Sequence, residues 1–350
     1  QRERRTEPRL PKDLPTEHLV IDPDEVKQNP SAYECIGEET IEELDVVPHR
    51  YVRRLIHRRK FKRKDDRSQA PVIAPQVPRL LTGSLLSPGL ATEIVLGKYM
   101  DHLPLYRQAE MFRRQGIDLS RQMLCNWVGV TAHWLRLIYE QIGRELRMSG
   151  YLQIDETPVM YARGEDGCHH EGYFWVYHHP GGQVLYEWHT SRSAKCLDGM
   201  LMGFTGQVQC DGYGAYTHFA GEHKGIALFG CWAHARRKIF EARQEAPAFA
   251  DWVLRQIGHL YRIEREADEA GTVPTLRQVR RAAESRMILN RLHRVFVGKV
   301  ASFLPRSQLG RALAYALKRW PELERYLEHG HVRIDNNGVE NAIRPTAVGK

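Results

Sequence analysis

The chain has 350 residues, with 51 Lys and Arg against 43 Asp and Glu, and a formal net charge of +8. A content of 42% hydrophobic and 27% charged residues is typical of globular proteins, and the apolar runs are too short to cross a membrane. The sequence does not open with the charged and apolar regions of an export signal, so we expect a cytoplasmic protein without a membrane partner. The length predicts two or three domains.

The positive charge is concentrated in one block, from Arg50 to Arg67. Ten basic and two acidic residues in this block account for the whole net charge of the chain. A local basic block indicates contact with a polyanion, and a solvated arm is the alternative interpretation. Residues 68–88 contain four prolines and no helical pattern, which predicts an extended linker.

Helical periodicity begins near Leu90 and indicates consecutive helices. One covers Leu105–Gln115 and ends before Gly116, a residue type favoured just past a helix end. Ser120 is placed to cap the next helix. The predicted apolar face of that helix consists of Met123, Leu124, Trp127 and Val128. Two helices joined by a glycine turn predict a helix-turn-helix that binds DNA, and an ordinary helical hairpin is the alternative.

From Tyr151 the apolar pattern changes to a period of two or to continuous apolar runs, both of which are typical of strands. The segment Pro180-Gly181-Gly182 predicts a hairpin turn, and residues 193–204 have the pattern of a helix. The predicted strands are Tyr151–Thr157, Gly172–His178, Gln183–His189, Gln207–Cys210 and Gly225–Cys231. This order predicts a mixed sheet with helices on its faces, which is an α/β fold.

The chain after Cys231 is predicted to be helical for about a hundred residues. Ser307 is placed to cap one of these helices. The apolar face of that helix would consist of Leu309, Leu313, Ala316, Leu317 and Trp320. Near the end of the chain, His331–Ile334 has the pattern of a short strand. A short helix is then expected to end at Arg344-Pro345, because proline disfavours helical backbone in the residue before it.

Three acidic residues stand out by their positions in this pattern. Asp155 and Asp211 each follow an apolar strand segment, and Glu340 lies on the last predicted helix. Each acid taken alone is explained by a solvated turn, but two strand-end aspartates in one sheet favour a shared site. Carboxylates from three elements can hold two Mg²⁺ ions, or Mn²⁺ in their place, and such centres catalyse phosphodiester transfer.

Several longer motifs resemble the insertion-sequence-66 family of transposases. They are I-D-E-T-P at 154–158, C-D-G-Y at 210–213, C-W-A-H-A-R-R-K at 231–238 and R-I-D-N-N-G-V-E-N-A-I-R-P at 333–345. Residues 98–108 and 117–121 match the same family. The resemblance extends from about Ile36 to the end of the chain. It implies a bacterial DNA transposase whose ribonuclease H-like catalytic core carries a DDE triad.

The resemblance also implies a division of the chain into segments. Residues 1–67 correspond to a degenerate small N-terminal module that includes the basic block. They are followed by the linker at 68–88 and the helix-turn-helix region at 89–148. The ribonuclease H-like core would consist of residues 149–238 and 331–350, interrupted by a helical insertion at 239–330.

The triad of the family falls on Asp155, Asp211 and Glu340, which the resemblance implies are both catalytic residues and metal ligands. The implied partner is double-stranded DNA at the element ends and the target. Accessory transposition proteins, a homo-oligomer and a nucleoid-associated location are implied as well. We expect basic and polar side chains to contact DNA phosphates and bases. They are Arg53, Arg54, Arg58, Arg59, Lys60, Arg121, Gln122, Asn126, Arg236, Arg237, Lys238 and Arg344.

Two departures from the family keep other functions open. The family carries a cysteine-based zinc module before the core, but only Cys35 of its cysteines is present here, so zinc binding there is not expected. The family also continues beyond the motif at 344–350, so either the gene is truncated, with a shortened C terminus, or the sequence is incomplete. A remnant that binds DNA without cleaving it and a nuclease that hydrolyses without joining strands are the alternative functions.

Three further groups of polar residues have more than one interpretation. Cys231 and His234 in C-W-A-H could form half of a metal site, although a structural role, or the positioning of residues 236–238 near DNA, is favoured. Asn341 and Arg344 are favoured to orient Glu340 or contact phosphate. The third group lies around the predicted hairpin, where exposed histidines are favoured over metal ligands. It consists of Cys168, His169, His170, His178 and His179.

Overall fold

The computed structural model describes residues 78–162 and 168–348, with the isolated residues Ser31, Tyr51, Lys60, Phe61, Ser68, Val72 and Ile73. The chain divides into two units, residues 1–76 and 77–350. In the first unit, β1 (Lys60–Phe61) pairs antiparallel with β2 (Val72–Ile73). β2 lies in the stretch predicted as a linker and has the extended backbone expected there.

Three helices begin the second unit, α1 (Pro88–Tyr99), α2 (Leu105–Arg114) and α3 (Arg121–Met148). Gly116 has a φ of +76°, a conformation that glycine adopts without strain and that separates α2 from α3. The predicted cap of α3 is confirmed, because the Ser120 side chain accepts a hydrogen bond from the Met123 backbone N–H. Of the predicted apolar face, Leu124 and Trp127 are buried, but Met123 is exposed.

The predicted mixed sheet is present. It consists of β3 (Tyr151–Ala162), β4 (His169–His178), β5 (Val184–His189), β6 (Gly206–Gln209) and β7 (Ile226–Phe229). The strand order is β5-β4-β3-β6-β7. β3, β4 and β5 form an antiparallel meander, and β6 and β7 continue the sheet parallel to β3.

β3 is longer than the sequence pattern predicts. It runs to Ala162 because β4 pairs with it as far as His169. Asp155 therefore lies in the middle of a strand, opposite Val176, and its predicted position at a strand end is wrong. The parallel pairing with β6 does end nearby, at Gln153, so Asp155 still lies where one side of the strand loses its neighbour.

Short helices connect and cover the strands. A 3-10 turn at Ala194–Leu197 leads into α4 (Asp198–Leu201), and α5 (Gly214–Glu222) and α6 (Trp232–Glu241) follow β6 and β7. Leu152 and Ile154 point to a core formed with the end of α3 and the helices α4 and α5. Tyr151 and Phe229 join a second core, built from α6 and the helices that follow it. The sheet therefore has helices on both faces.

The predicted helical segment after α6 comprises α7 (Pro247–Glu269), α8 (Pro274–Arg280), α9 (Arg286–Val300), α10 (Gln308–Lys318) and α11 (Trp320–Glu324). Ser307 caps α10 as predicted, accepting from the Gly310 N–H at 3.0 Å. One π-helical turn, Arg281–Ser285, joins α8 to α9. Within residues 78–162 and 168–348, no helix has the length and apolarity needed to cross a bilayer.

Both predictions for the last segment need correction. His331–Ile334 is not a strand, because buried side chains bind its backbone: Gln209 donates to the Arg333 carbonyl and Arg281 to the Val332 carbonyl. The final helix, α12 (Asn337–Val348), runs past Pro345 instead of ending there. Proline lacks the N–H that would bind the Asn341 carbonyl four residues earlier, and its ring crowds that carbonyl, but Asn341 is exposed to water.

Candidate active site

The sheet register brings the two aspartates together. Gln153 of β3 is the parallel partner of Gln209 of β6, and each aspartate lies two residues beyond its glutamine. Side chains two residues apart on a strand share a face, so Asp155 lies on the face of Gln153. Asp211 follows just beyond the end of β6, close enough that its charge raises the pKa of Asp155. Asp155 is fixed by the Glu156 N–H at 3.0 Å, and Asp211 by the Tyr213 N–H at 2.7 Å.

A buried polar network beneath the aspartates holds the returning segment against the sheet. The Tyr151 hydroxyl and the Gln153 amide both donate to Oε1 of Gln209, at 2.7 and 2.9 Å. The two glutamine amides also donate to carbonyls of the returning segment, Gln153 to Asp335 and Gln209 to Arg333, each at 2.8 Å. Each buried amide is thus satisfied, and the network fixes where α12 begins.

Glu340 lies in the first turn of α12 and faces α6. Its Oε2 accepts from Arg237 at 3.2 Å, and its Oε1 lies 3.5 Å from Nδ1 of His234. The Tyr186 hydroxyl of β5 donates to the Ala342 carbonyl at 2.7 Å, which attaches the helix to the sheet. The third predicted acid is therefore placed by contacts with both the sheet and α6.

The three predicted acids interact electrostatically. Burial raises the pKa of Asp155, and the negative charges of Glu156, Asp211 and Glu340 raise it further, to about 8. Burial also raises the pKa of Glu156. Glu340 and Glu156 have arginine partners, Arg237 and Arg192, but no ion pair is present at Asp155 or Asp211 among the described residues. Neighbouring carboxylates of this kind favour a proton or a cation, which is the electrostatic condition of a site for a divalent metal ion.

A second layer of contacts was not predicted from the sequence. The buried Glu156 accepts from Arg192, with Nε at 2.8 Å, and from the Tyr216 hydroxyl at 2.5 Å. The Arg192 guanidinium lies 4.0 Å from the ring centre of Tyr213, which follows Asp211 closely in sequence. Arg192 therefore connects the neighbourhoods of both aspartates. The one feature of the sequence that could have indicated Glu156 was its position next to Asp155.

The residues predicted to contact DNA fall into three groups. Arg121, Gln122 and Asn126 are exposed at the start of α3, and Gln122 donates to Asn126 at 3.0 Å. Residues 236–238 are exposed on α6, and Arg344 is exposed on α12. Arg53, Arg54, Arg58 and Arg59 lie outside the described residues, as does the side chain of Lys60. The predicted absence of a zinc site near Cys35 also concerns residues outside the described part.

The histidine-rich group is divided between the two ends of β4. His169 begins this ten-residue strand and His178 ends it, so their backbones lie about 30 Å apart. The five residues of this group therefore cannot all bind the same metal ion. In contrast, Cys231 and His234 are close to Glu340, with one potential ligand atom from each residue within 4.8 Å of the others.

The raised pKa of Asp155 predicts an unusual pH dependence of stability. In the metal-free native state this carboxyl keeps its proton up to about pH 8, whereas the unfolded chain releases it near pH 4. Unfolding therefore releases a proton between these values, and the free energy of unfolding should fall by a few kcal/mol as pH rises through this window. Urea unfolding in EDTA should show a steeper fall for the wild type than for Asp155→Asn. Equal slopes would contradict the assignment.

Gly338 in the first turn of α12 allows this helix to approach the sheet. A Cβ at this position would lie 2.6 Å from Oε1 of Gln153 and 2.7 Å from Cε1 of His178. Gly338→Ala should therefore lower the free energy of unfolding by about 1–3 kcal/mol, measured by urea unfolding. Gly258→Ala in α7 is the control, since no atom lies within 4 Å, and it should stabilise by about 0.5–1 kcal/mol. A neutral Gly338→Ala would show that α12 does not dock as described.

The fold and this site define a mixed α/β protein in which acids from two strands and a distant helix converge. A family model described as "Transposase IS66 family" matches residues 83–350. The chain belongs to this family, which confirms the resemblance found in its motifs.

Two relatives from Sinorhizobium fredii match most of the chain. The uncharacterized protein y4qI is 32% identical over 334 residues, which cover 89% of this chain and 60% of the relative. The uncharacterized protein y4jD is 30% identical over 364 residues, covering 97% of this chain and 69% of the relative. The chain thus spans about 60% of the length of the first relative and somewhat more of the second.

Proposed function

We propose that the chain is a DNA transposase that cleaves DNA strands and joins a freed 3′-hydroxyl to target DNA, with Asp155, Asp211 and Glu340 as its catalytic residues. Membership of the IS66 transposase family supports the reaction class. The single observation that supports the triad is its convergence: acids from β3, from the end of β6 and from α12 share one electrostatic environment. The mixed sheet with helices on both faces supports a ribonuclease H-like core at 149–238 and 331–350, interrupted at 239–330.

The donor set fits hard divalent cations. The three carboxylates offer the oxygen ligands that Mg²⁺ and Mn²⁺ prefer. The pKa of Asp155 is raised first by burial and then by the acids around it, and a bound cation would stabilise its charged form. When bound, two such ions would supply charge stabilisation for the attacking and leaving oxygens of a phosphodiester. The protein itself contributes the rigid placement of the acids through the buried network of Tyr151, Gln153 and Gln209.

Exposed basic or polar residues on α3, α6 and α12 support DNA as the partner. The start of α3 carries the proposed base-reading residues Arg121, Gln122 and Asn126, as in a helix-turn-helix. Residues 236–238 and Arg344 lie on the two helices that surround Glu340, where backbone phosphates would be held. We propose that Arg53, Arg54, Arg58, Arg59 and Lys60 add sequence-independent affinity, and that the protein acts as a homo-oligomer with accessory proteins on nucleoid DNA.

A plasmid assay tests the proposed reaction. The full chain is incubated with supercoiled plasmid carrying both ends of the element that encodes it, with Mg²⁺ or Mn²⁺, and nicked, linear and joined products are separated. Nicked and joined products are expected. Nicking without joined products would favour the hydrolytic nuclease. Binding without any nicking would favour an inactive remnant.

The phosphate contacts have a separate test. Arg236 is exposed on α6, whereas its neighbour Arg237 is engaged with Glu340. Arg236→Ala should weaken DNA binding uniformly across sequences and reduce the slope of log K against log salt by about 1. The measurement is a fluorescence anisotropy titration at several salt concentrations. Arg291→Ala, an exposed arginine on α9, is the control; an equal loss there would mean that the binding surface is misplaced.

A further inference from the structure

Beside Glu340 lie two softer ligands, Cys231 and His234, that the proposed reaction does not use. Sγ of Cys231, a ring nitrogen of His234 and a carboxylate oxygen of Glu340 lie within 4.8 Å of one another. Cys231 is buried and stands immediately before α6, and His234 lies in the first turn of that helix. The C-x-x-H spacing at the start of α6 thus places the thiol and the imidazole on the same side of the helix. Glu340 of α12 adds the carboxylate.

The polar atoms of this cluster lack the partners that buried polar atoms normally have. Nδ1 of His234 and Oε1 of Glu340 are both buried and have no hydrogen-bond partner among the described residues. They lie 3.5 Å apart, and Arg237 binds the other oxygen of Glu340, which leaves Oε1 directed toward His234. Next to Cys231, the fully buried Asn336 also has an amide without a partner in the described part of the chain. Buried polar atoms without hydrogen-bond partners require an explanation, and a bound ion would provide one.

We propose that Cys231, His234 and Glu340 form a binding site for a thiophilic divalent ion of the zinc class. Thiolate and imidazole favour zinc over magnesium, and three protein ligands with one open position are the usual set of an accessible zinc site. A tetrahedral ion with zinc bond lengths holds its ligand atoms roughly 3.5 Å apart, so closing the 4.8 Å cluster needs only small side-chain rotations. On binding, the thiol proton of Cys231 passes to the solvent and the sulfur bonds to the metal.

This ion would fix Glu340. Oε1 of Glu340 would bind the zinc-class ion, which leaves Oε2, beside Arg237, as the oxygen that Glu340 would offer to the proposed catalytic cation. The metal would thereby attach α12 to the start of α6, where Cys231 immediately precedes the helix and His234 lies in its first turn. The inference rests on the arrangement of these side chains and holds whether or not the chain cleaves DNA.

Cobalt spectroscopy tests the site directly. The full chain, stripped of metal under reducing conditions, is titrated with Co²⁺, and the near-ultraviolet charge-transfer absorption that requires a thiolate ligand is recorded. We expect the absorption to saturate at one equivalent and to disappear when Zn²⁺ displaces the cobalt. Cys231→Ser should abolish it, and His234→Gln should weaken Co²⁺ binding at least about tenfold. Cys125→Ser and Cys196→Ser, an exposed and a buried cysteine elsewhere, should leave it unchanged.

The results separate this inference from the proposed reaction. No charge-transfer absorption in the wild type, or an absorption that survives Cys231→Ser, would overturn the site. If Cys231→Ser does not fold by circular dichroism, His234→Gln decides, because unchanged Co²⁺ affinity in that variant also overturns it. Asp155→Asn should keep the cobalt absorption while losing DNA cleavage, so each hypothesis can fail alone.

Discussion

Asp155→Asn should lose metal-dependent DNA cleavage by at least about a thousand-fold, because metal-held charge stabilisation is worth several kcal/mol. The same variant should be at least as stable as the wild type at neutral pH. Burial and the acids around Asp155 raise its pKa to about 8, so the charged form is unfavourable in the metal-free protein and a neutral amide removes that cost. Loss of cleavage with unchanged or raised stability is the signature of a metal ligand.

Glu222→Gln is the matched control for this experiment. It removes one carboxylate from an exposed position on α5 and should leave both plasmid nicking and urea unfolding unchanged. Cleavage that survives in Asp155→Asn would show that another group holds the metal. A strongly destabilised Asp155→Asn would instead show that the carboxylate is structural.

Arg281→Met should lower the free energy of unfolding by about 3–5 kcal/mol. Arg281 is fully buried in the π-helical turn and donates to both oxygens of Glu264, at 2.8 and 2.7 Å. It also donates to the carbonyls of Tyr326, His329 and Val332, which lead toward α12. Methionine fills much of the space but leaves a buried carboxylate and three carbonyls without this donor. Urea unfolding measures the loss.

Two companion variants make this prediction specific. Arg286→Met lies one turn further along and removes only longer ion pairs, 3.5 and 3.8 Å, at half-exposed positions, so less than about 1 kcal/mol should be lost. Adding Glu264→Leu to Arg281→Met removes the stranded carboxylate and should restore about half of the stability. Arg277 keeps Asp268 as a partner in that double variant. Failure of the rescue would mean that the backbone carbonyls, not the ion pair, dominate.

Local features of the fold were predictable because their causes are local. The Ser120 and Ser307 caps and the Gly116 turn each depend on a few neighbouring residues. The features that were predicted wrongly depend on residues far away in sequence. His331–Ile334 looks like a strand, but Gln209 and Arg281, far away in sequence, bind its carbonyls. The extension of β3 beyond Thr157 likewise depends on its partner strand.

The candidate site also has a part that was predictable from the sequence and a part that was not. Asp155 and Asp211 were selected from strand-associated motifs and the family resemblance, and the register then placed them side by side. The contact of Arg237 with Glu340 spans 103 residues, and that of Arg192 with Glu156 spans 36. No spacing rule connects residues this far apart. Contacts of this kind depend on how the elements pack, which the sequence pattern alone does not specify.

The docking of α12 through Gln153 and Gln209 also determines when the site is completed during protein synthesis. Both aspartates lie in the first half of residues 77–350, whereas Asp335 and Glu340 lie more than a hundred residues further along the chain than Asp211 and are synthesised later. At ordinary elongation rates Glu340 follows Asp211 by on the order of ten seconds. Until then the two glutamines have no returning segment to bind, and Glu340 is absent from the neighbourhood of the two aspartates. A chain synthesised only as far as Asp211 therefore carries an incomplete candidate site.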